Sequence, residues 1–157
     1  MWRSPPAGSL LTATSIAAVQ VVVIAVGRLR PPYADDVAHY AKLLRRYVRL
    51  EQLELRDGAG VAERVASRVP AGAFVSLLDA GGEAFDSLAF ARFIEARRAS
   101  GRDLAFVIGG AFGIELERVE HRLSLGPMTL PHQLARVVLL EGLFRAHRII
   151  AGEPYHH

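Results

Sequence analysis

The feature that most constrains this chain is its alternation of β-branched apolar runs with stretches of helical period. Gln20 to Val26, Phe74 to Leu78 and Leu104 to Ile108 are runs of strand length, apolar but for Gln20 and Ser76. A strand apolar on both sides of its pleat has both faces buried, the condition of a parallel sheet covered by helices. The intervening segments supply those helices. Val37, Tyr40, Ala41, Leu44, Tyr47 and Val48 recur at helical spacing over Asp35 to Arg49, with acids in the first turn. Val61 to Val69 and Ser87 to Ala99 read as two more helices. Leu53 and Leu55 alternate with Glu54 as a further strand, closed by the turn Asp57-Gly58-Ala59-Gly60. After Ile108 the reading is a helix over Glu115 to His121, a short strand near Leu123 to Leu125, and a long final helix over Pro131 to Ile150. The expectation is one α/β domain over residues 19–157, a mostly parallel sheet with helices on both faces.

Residues 1–18 stand apart from this pattern. No charge occurs between Arg3 and Arg28, and Ser15-Ile16-Ala17 resembles a signal-peptide cleavage site. Against that reading, Pro5, Pro6, Ser9, Thr12, Thr14 and Ser15 dilute the apolarity, and a spanning helix needs ~20 predominantly apolar residues. The segment is therefore read as an extension outside the core, and no membrane association is expected. The chain has no cysteine, which removes zinc-finger, iron–sulfur and thiol-nucleophile chemistry and makes the cytoplasm the default compartment. The net charge of +3 is a mild bias toward a polyanionic partner. Lys42, Arg45, Arg46 and Arg49, interleaved with Tyr40 and Tyr47, concentrate it, although a solvated helix face explains the cluster as well.

In parallel sheets ligands bind beyond the carboxyl ends of the strands. Three glycine-containing loops qualify: Leu78-Asp79-Ala80-Gly81-Gly82, Gly109 to Gly113, and Gly126-Pro127-Met128-Thr129-Leu130-Pro131. Glycine permits close backbone approach to a ligand, yet each loop alone is equally a turn. None carries the dinucleotide fingerprint or a phosphate-binding P-loop. His39, His121, His132, His147, His156 and His157 are scattered, without metal-ligand spacing, so no metal is expected. Glu141 and Arg145 stand one helical turn apart, an ordinary surface pair by spacing alone.

Taken in order, Leu77-Leu78-Asp79, then Val107-Ile108-Gly109-Gly110 with Gly113, then the run from Met128 to Val137 (MTLPHQLARV), then Pro154-Tyr155-His156, resemble the RlmH family. The likeness covers Gln20 to His156, and its most specific part is Thr129-Leu130-Pro131-His132 followed by Arg136, Glu141 and Arg145. The resemblance implies a SPOUT α/β knot, with a C-terminal trefoil threaded through the chain's own loop. It implies S-adenosyl-L-methionine held by Leu78, Gly109, Gly110, Leu125, Gly126, Pro127, Met128, Thr129 and Leu130. It further implies a homodimer that methylates N3 of a pseudouridine in 23S ribosomal RNA of the large subunit or assembled ribosome. On the substrate side His132, Arg145, Tyr155 and His156 are the candidates, histidine as proton acceptor and arginine for developing negative charge or phosphate. The chain departs from the family at Ala111-Phe112-Gly113, where Pro-Glu-Gly is usual, at Phe144, where tyrosine is common, and at Glu153, where histidine is common. Three rival readings stand beside this one: a SPOUT methyltransferase for another RNA, a catalytically inactive ribosome-binding paralogue, and a dinucleotide-dependent oxidoreductase.

Overall fold

A computed structural model describes residues 19–154. The expected extension over residues 1–18, and Tyr155 and His156 at the other end, lie outside the described residues. Five strands, β1 (Gln20–Val26), β2 (Arg49–Leu55), β3 (Phe74–Ala84), β4 (Leu104–Ile108) and β5 (His121–Ser124), form one sheet in the order β2-β1-β4-β3-β5. Every pairing is parallel. The helices are α1 (Tyr33–Leu44), α2 (Val61–Arg68), α3 (Ser87–Ala99) and α4 (His132–Ile150).

The pleat of β1 explains why its sequence is apolar throughout. Val21, Val23 and Ala25 face a core shared with Val37 and Leu44 of α1, Ala91 and Ile94 of α3, and Leu139, Leu140 and Leu143 of α4. Val22, Ile24 and Val26 face the opposite core, built with Val65 of α2. Helices therefore cover both faces, but unequally. The lighter face is completed by Ile114, Leu116 and Val119.

That second cover corrects the expected helix over Glu115 to His121, because this segment is not helical. Ile114 and Leu116 reach the core at a spacing of two, as an extended chain does, and Glu120 N–H donates to Val75 C=O. The chain is being led into β5, which begins at His121. The first helix also ends earlier than its periodicity suggests. Arg45 caps α1, and Arg49 already pairs with Gln20 as the first residue of β2. The polar residues Arg49, Glu51 and Glu54 disguise β2 because it lies at the sheet's edge.

Helix α4 lies between α1 and α3. Its start is fixed at the carboxyl end of β1, where a Cβ on Gly27 would come within 2.8 Å of His132 Nε2, and Arg30 N–H donates to Gln133 Oε1. Along its length Tyr40 and Tyr47 meet Phe144 on one side, while Gly142 faces Phe90 of α3 on the other. Arg136 is 6% exposed; its guanidinium donates to Glu54 Oε1 at 2.7 Å and to Gln52 Oε1 at 2.9 and 3.2 Å.

Candidate functional site

Since β5 is an edge strand and α4 begins beside β1, residues 125–131 must cross the carboxyl ends of β3 and β4. The three glycine loops thus converge on one end of the sheet. Ser124 joins two of them: its Oγ lies 3.0 Å from the carbonyls of both Ala80 and Gly126 and accepts from Gly126 N–H at 3.1 Å. Gly126 itself has φ +130°, a backbone state that side chains rarely adopt.

The double glycine after β4 is small for reasons of packing. A Cβ on Gly109 would meet Gly113 C at 3.1 Å and Ile114 at 3.2 Å. One on Gly110 would overlap the Asp57 carboxylate and meet Val26 Cγ1 at 3.2 Å. Their neighbours Ala111 and Phe112 are exposed, Phe112 almost completely.

A cavity of about 320 Å³ opens between the end of β5, the start of α3 and the middle of α4. Ala84, Phe85 and Phe90 form one wall, Leu123 to Gly126 a second, and Val138, Leu139 and Gly142 a third, with Asp86, Ser87, Glu141 and Arg145 as polar groups. Its size and mixed lining suit a small organic ligand. Asp86 caps α3 by accepting from Ala89 N–H at 2.7 Å, which places Ser87 at the rim. Arg145 donates through Nε and Nη2 to Glu141 Oε1 at 3.1 and 2.8 Å, and its Nη1 lies 3.5 Å from Ser87 Oγ.

The residues singled out from sequence divide into groups. Leu125 and Gly126 line this cavity together with Arg145. Leu78 is half-buried where β3 first leaves β5, and Gly109 and Gly110 end β4. Pro127, Met128 and Thr129 are exposed on the crossing segment, with Leu130 half-buried behind them. His132 stands at the first turn of α4 against Gly27. Thirteen residues separate it from Arg145 on that helix, about 20 Å at the helical rise, so one chain does not bring these two together.

Sequence reasoning passed over His121. Its Nδ1 lies 2.9 Å from Ser76 Oγ and its Nε2 3.1 Å from Glu83 Oε2, and its ring lies among Phe74, Phe85 and Phe93. No local signal announces this, because the partners are 45 and 38 residues away. Asp79 was inside a quoted loop but unassigned. Its carboxylate accepts from Gly81 N–H and from Arg122, and these two bonds hold it below the usual aspartate pKa. Among the described residues no cluster of metal-ligating side chains occurs.

A family model described as "Predicted SPOUT methyltransferase" matches residues 19–156. The chain is similar to the Ribosomal RNA large subunit methyltransferase H of Acidiphilium cryptum, at 47% identity over 85% of this chain and 91% of the relative. It is similar to proteins of the same name from Nitratidesulfovibrio vulgaris, at 43% identity over 86% of this chain and 96% of the relative. A third relative of that name, from Gemmatimonas aurantiaca, is 41% identical over 88% of this chain and 99% of its own length.

Proposed function

The chain belongs to the SPOUT methyltransferase family, and we propose that it transfers the methyl group of S-adenosyl-L-methionine to N3 of a pseudouridine in 23S ribosomal RNA. The family implies the C-terminal trefoil knot. The course of residues 125–131 from an edge strand across two inner strands to α4 is consistent with that threading. The observation that carries the reading is the meeting of Leu125 and Gly126 with Arg145 in one cavity at the carboxyl end of the sheet.

The residues present suit the donor. Leu123, Leu125 and Phe85 offer apolar walls to an adenosyl group, and the crossing segment offers backbone amides and carbonyls. When bound, the sulfonium supplies an activated methyl group with a good leaving group. The work left to the chain is alignment, worth ~7–11 kcal/mol in favourable cases, and removal of the N3 proton. In this reading His132 or His156 accepts that proton, Arg145 stabilises charge on the base or holds phosphate, and Tyr155 stacks on the base. Because His132 and Arg145 stand about 20 Å apart in one chain, they serve one reaction only if two chains build the site. A homodimer is accordingly part of the proposal. Phe112 (99% exposed) and Met128 (77% exposed), on loops at the same end of the sheet, are apolar surfaces suited to a second chain. The assignment to the cytoplasm rests on ribosomal RNA as substrate. Among the described residues no helix is long and apolar enough to cross a membrane.

The test is transfer of a labelled methyl group to assembled ribosomes and to free large-subunit RNA, with nucleotide mapping of the product. Label at N3 of a pseudouridine is the expected result. Label on another RNA or base would redirect the substrate assignment, and binding to ribosomes without transfer would mark an inactive relative.

A further inference from the structure

Strand β3 leaves its neighbour and returns to it. Leu78 and Glu83 are both in register with Leu123 of β5, so residues 79–82 form an excursion between two paired stretches. Such a segment, with Gly81 and Gly82 in it, has much conformational freedom to lose. It is nevertheless tied to β5 at two points within it and at a third where it ends. Arg122 Nη1 donates to Asp79 Oδ2 at 3.0 Å, Ser124 Oγ reaches Ala80 C=O at 3.0 Å, and His121 Nε2 meets Glu83 Oε2 at 3.1 Å. Gly82 passes so close to β5 that a Cβ would stand 2.5 Å from Arg122 O. Three of the four β5 side chains hold the excursion, and the fourth, Leu123, is in the core.

His121 is the tie with a second anchor. One neutral tautomer satisfies both ring nitrogens, Nε2–H donating to the Glu83 carboxylate and Nδ1 accepting from the Ser76 hydroxyl. Ser76 is fully buried, and the imidazole sits 4.6 Å from the Phe93 ring centroid and 5.8 Å from that of Phe85. A ring held at both nitrogens and among aromatic rings has one available orientation, so Glu83 is anchored to the interior of the domain. The next two residues, Ala84 and Phe85, are a wall of the cavity described above, and Leu78 precedes the excursion.

We propose that His121, bridging Ser76 and Glu83, is a positioning residue for the methyl-donor site: it fixes the end of the 79–82 excursion, where the strand rejoins β5 at Glu83, and with it the cavity wall that follows at Ala84 and Phe85, and so sets affinity for the donor without touching it. The proposal rests on the reading of that cavity as the donor site. Its signature is a rise in KM for S-adenosylmethionine with kcat little changed, since the reacting groups stay where they are.

The experiment uses the full-length protein and Glu83→Ala, a side chain 59% exposed, so that folding is not at stake. Expected is an increase of about fivefold in KM for the donor, the upper end of what an exposed charged partner is worth, with kcat within about twofold. Amide exchange over residues 79–84 should quicken in the same variant. Glu83→Gln, whose amide oxygen still accepts from His121 Nε2–H, should restore both toward wild type. Faster exchange with an unchanged KM in an active enzyme would overturn the proposal while leaving the cavity assignment standing. A wild-type protein that transfers no methyl group and shows no S-adenosylmethionine binding would overturn the functional reading, and the proposal with it.

Discussion

The two ends of the parallel sheet are built on opposite plans. At the amino end the loops are joined by hydrogen bonds to backbone and side-chain groups. Phe74 N–H donates to Asp103 C=O at 2.7 Å, and Gln20 N–H to the Asp103 carboxylate at 3.0 Å. Arg102 binds Gly72 C=O, Ala73 C=O and Glu120, while Arg118 adds a second bond to each of the last two groups. Arg97 covers the Phe74 ring at 4.7 Å. At the carboxyl end the close approaches are made by glycines, a strand leaves the sheet and comes back, and large apolar side chains project outward. The parallel arrangement creates this difference. The loops that follow the strands all emerge at one end, where they border the 320 Å³ cavity. Arginines tie the loops together at one end, and glycines with side-chain ties order the loops at the other.

Three measurements would break or sharpen that contrast. The largest effect is expected at Arg136, the sealed polar contact that joins α4 to β2. Arg136→Met leaves Gln52 and Glu54 facing an apolar side chain and should lower unfolding stability by about 2–4 kcal/mol, less than a fully enclosed pair because Glu54 is partly in solvent. Equilibrium denaturation measures it, and a loss below about 1 kcal/mol would mean that α4 is held by its apolar face alone.

A smaller effect is expected at Gly110. If that glycine is small because Asp57 crowds it, Gly110→Ala should destabilise by about 1–2 kcal/mol and Asp57→Ala should recover most of the loss. Independent, additive effects in the double-mutant cycle would instead assign Gly110's smallness to the ligand side. Thermal stabilisation by S-adenosylmethionine, measured in all four proteins, separates the two roles.

The third measurement concerns the amino end and reads a slope instead of a drop. His147 is 1% exposed, its Nδ1 lies 2.7 Å from Leu143 C=O, and its Nε2 is buried without a partner among the described residues. Burial lowers its pKa below the usual 6.5, with the nearby Arg98 adding in the same direction and the Leu143 bond opposing it. Well above pH 6.5 the ring is neutral in both folded and unfolded chains and has no effect on the pH dependence. As pH falls below that value the unfolded chain takes up the proton first, so stability declines until the folded ring also titrates. Stability measured between pH 7.5 and about pH 5 should show this loss, and His147→Leu should remove it. A slope that persists in the variant would assign it to other groups.

How much of this was legible in the sequence follows from the range of each interaction. β1 and β4 stood where their apolar runs put them, and β3 began where its run began, because burial of both faces writes itself into consecutive residues. The glycine loops were found for the same local reason, and the motifs from Leu78 to Arg136 carried the family resemblance that the family match bears out. The helix expected after Ile114 failed because its apolar residues fit two periods, and only the under-covered face of the sheet selects the extended one. β2 was shortened in the reading because an edge strand keeps polar residues.

By itself, then, the sequence determined the alternating architecture and the family. The tertiary structure alone decided that Ser76, Glu83 and His121 form one unit, that Arg136 closes on Gln52 and Glu54, and that His132 and Arg145 stand at different places on one helix while Arg145 shares a cavity with Leu125. The reason is physical: periodicity records which side of an element is buried, whereas a contact between residues 38 to 84 positions apart depends on strand order and register, which no short stretch of chain encodes.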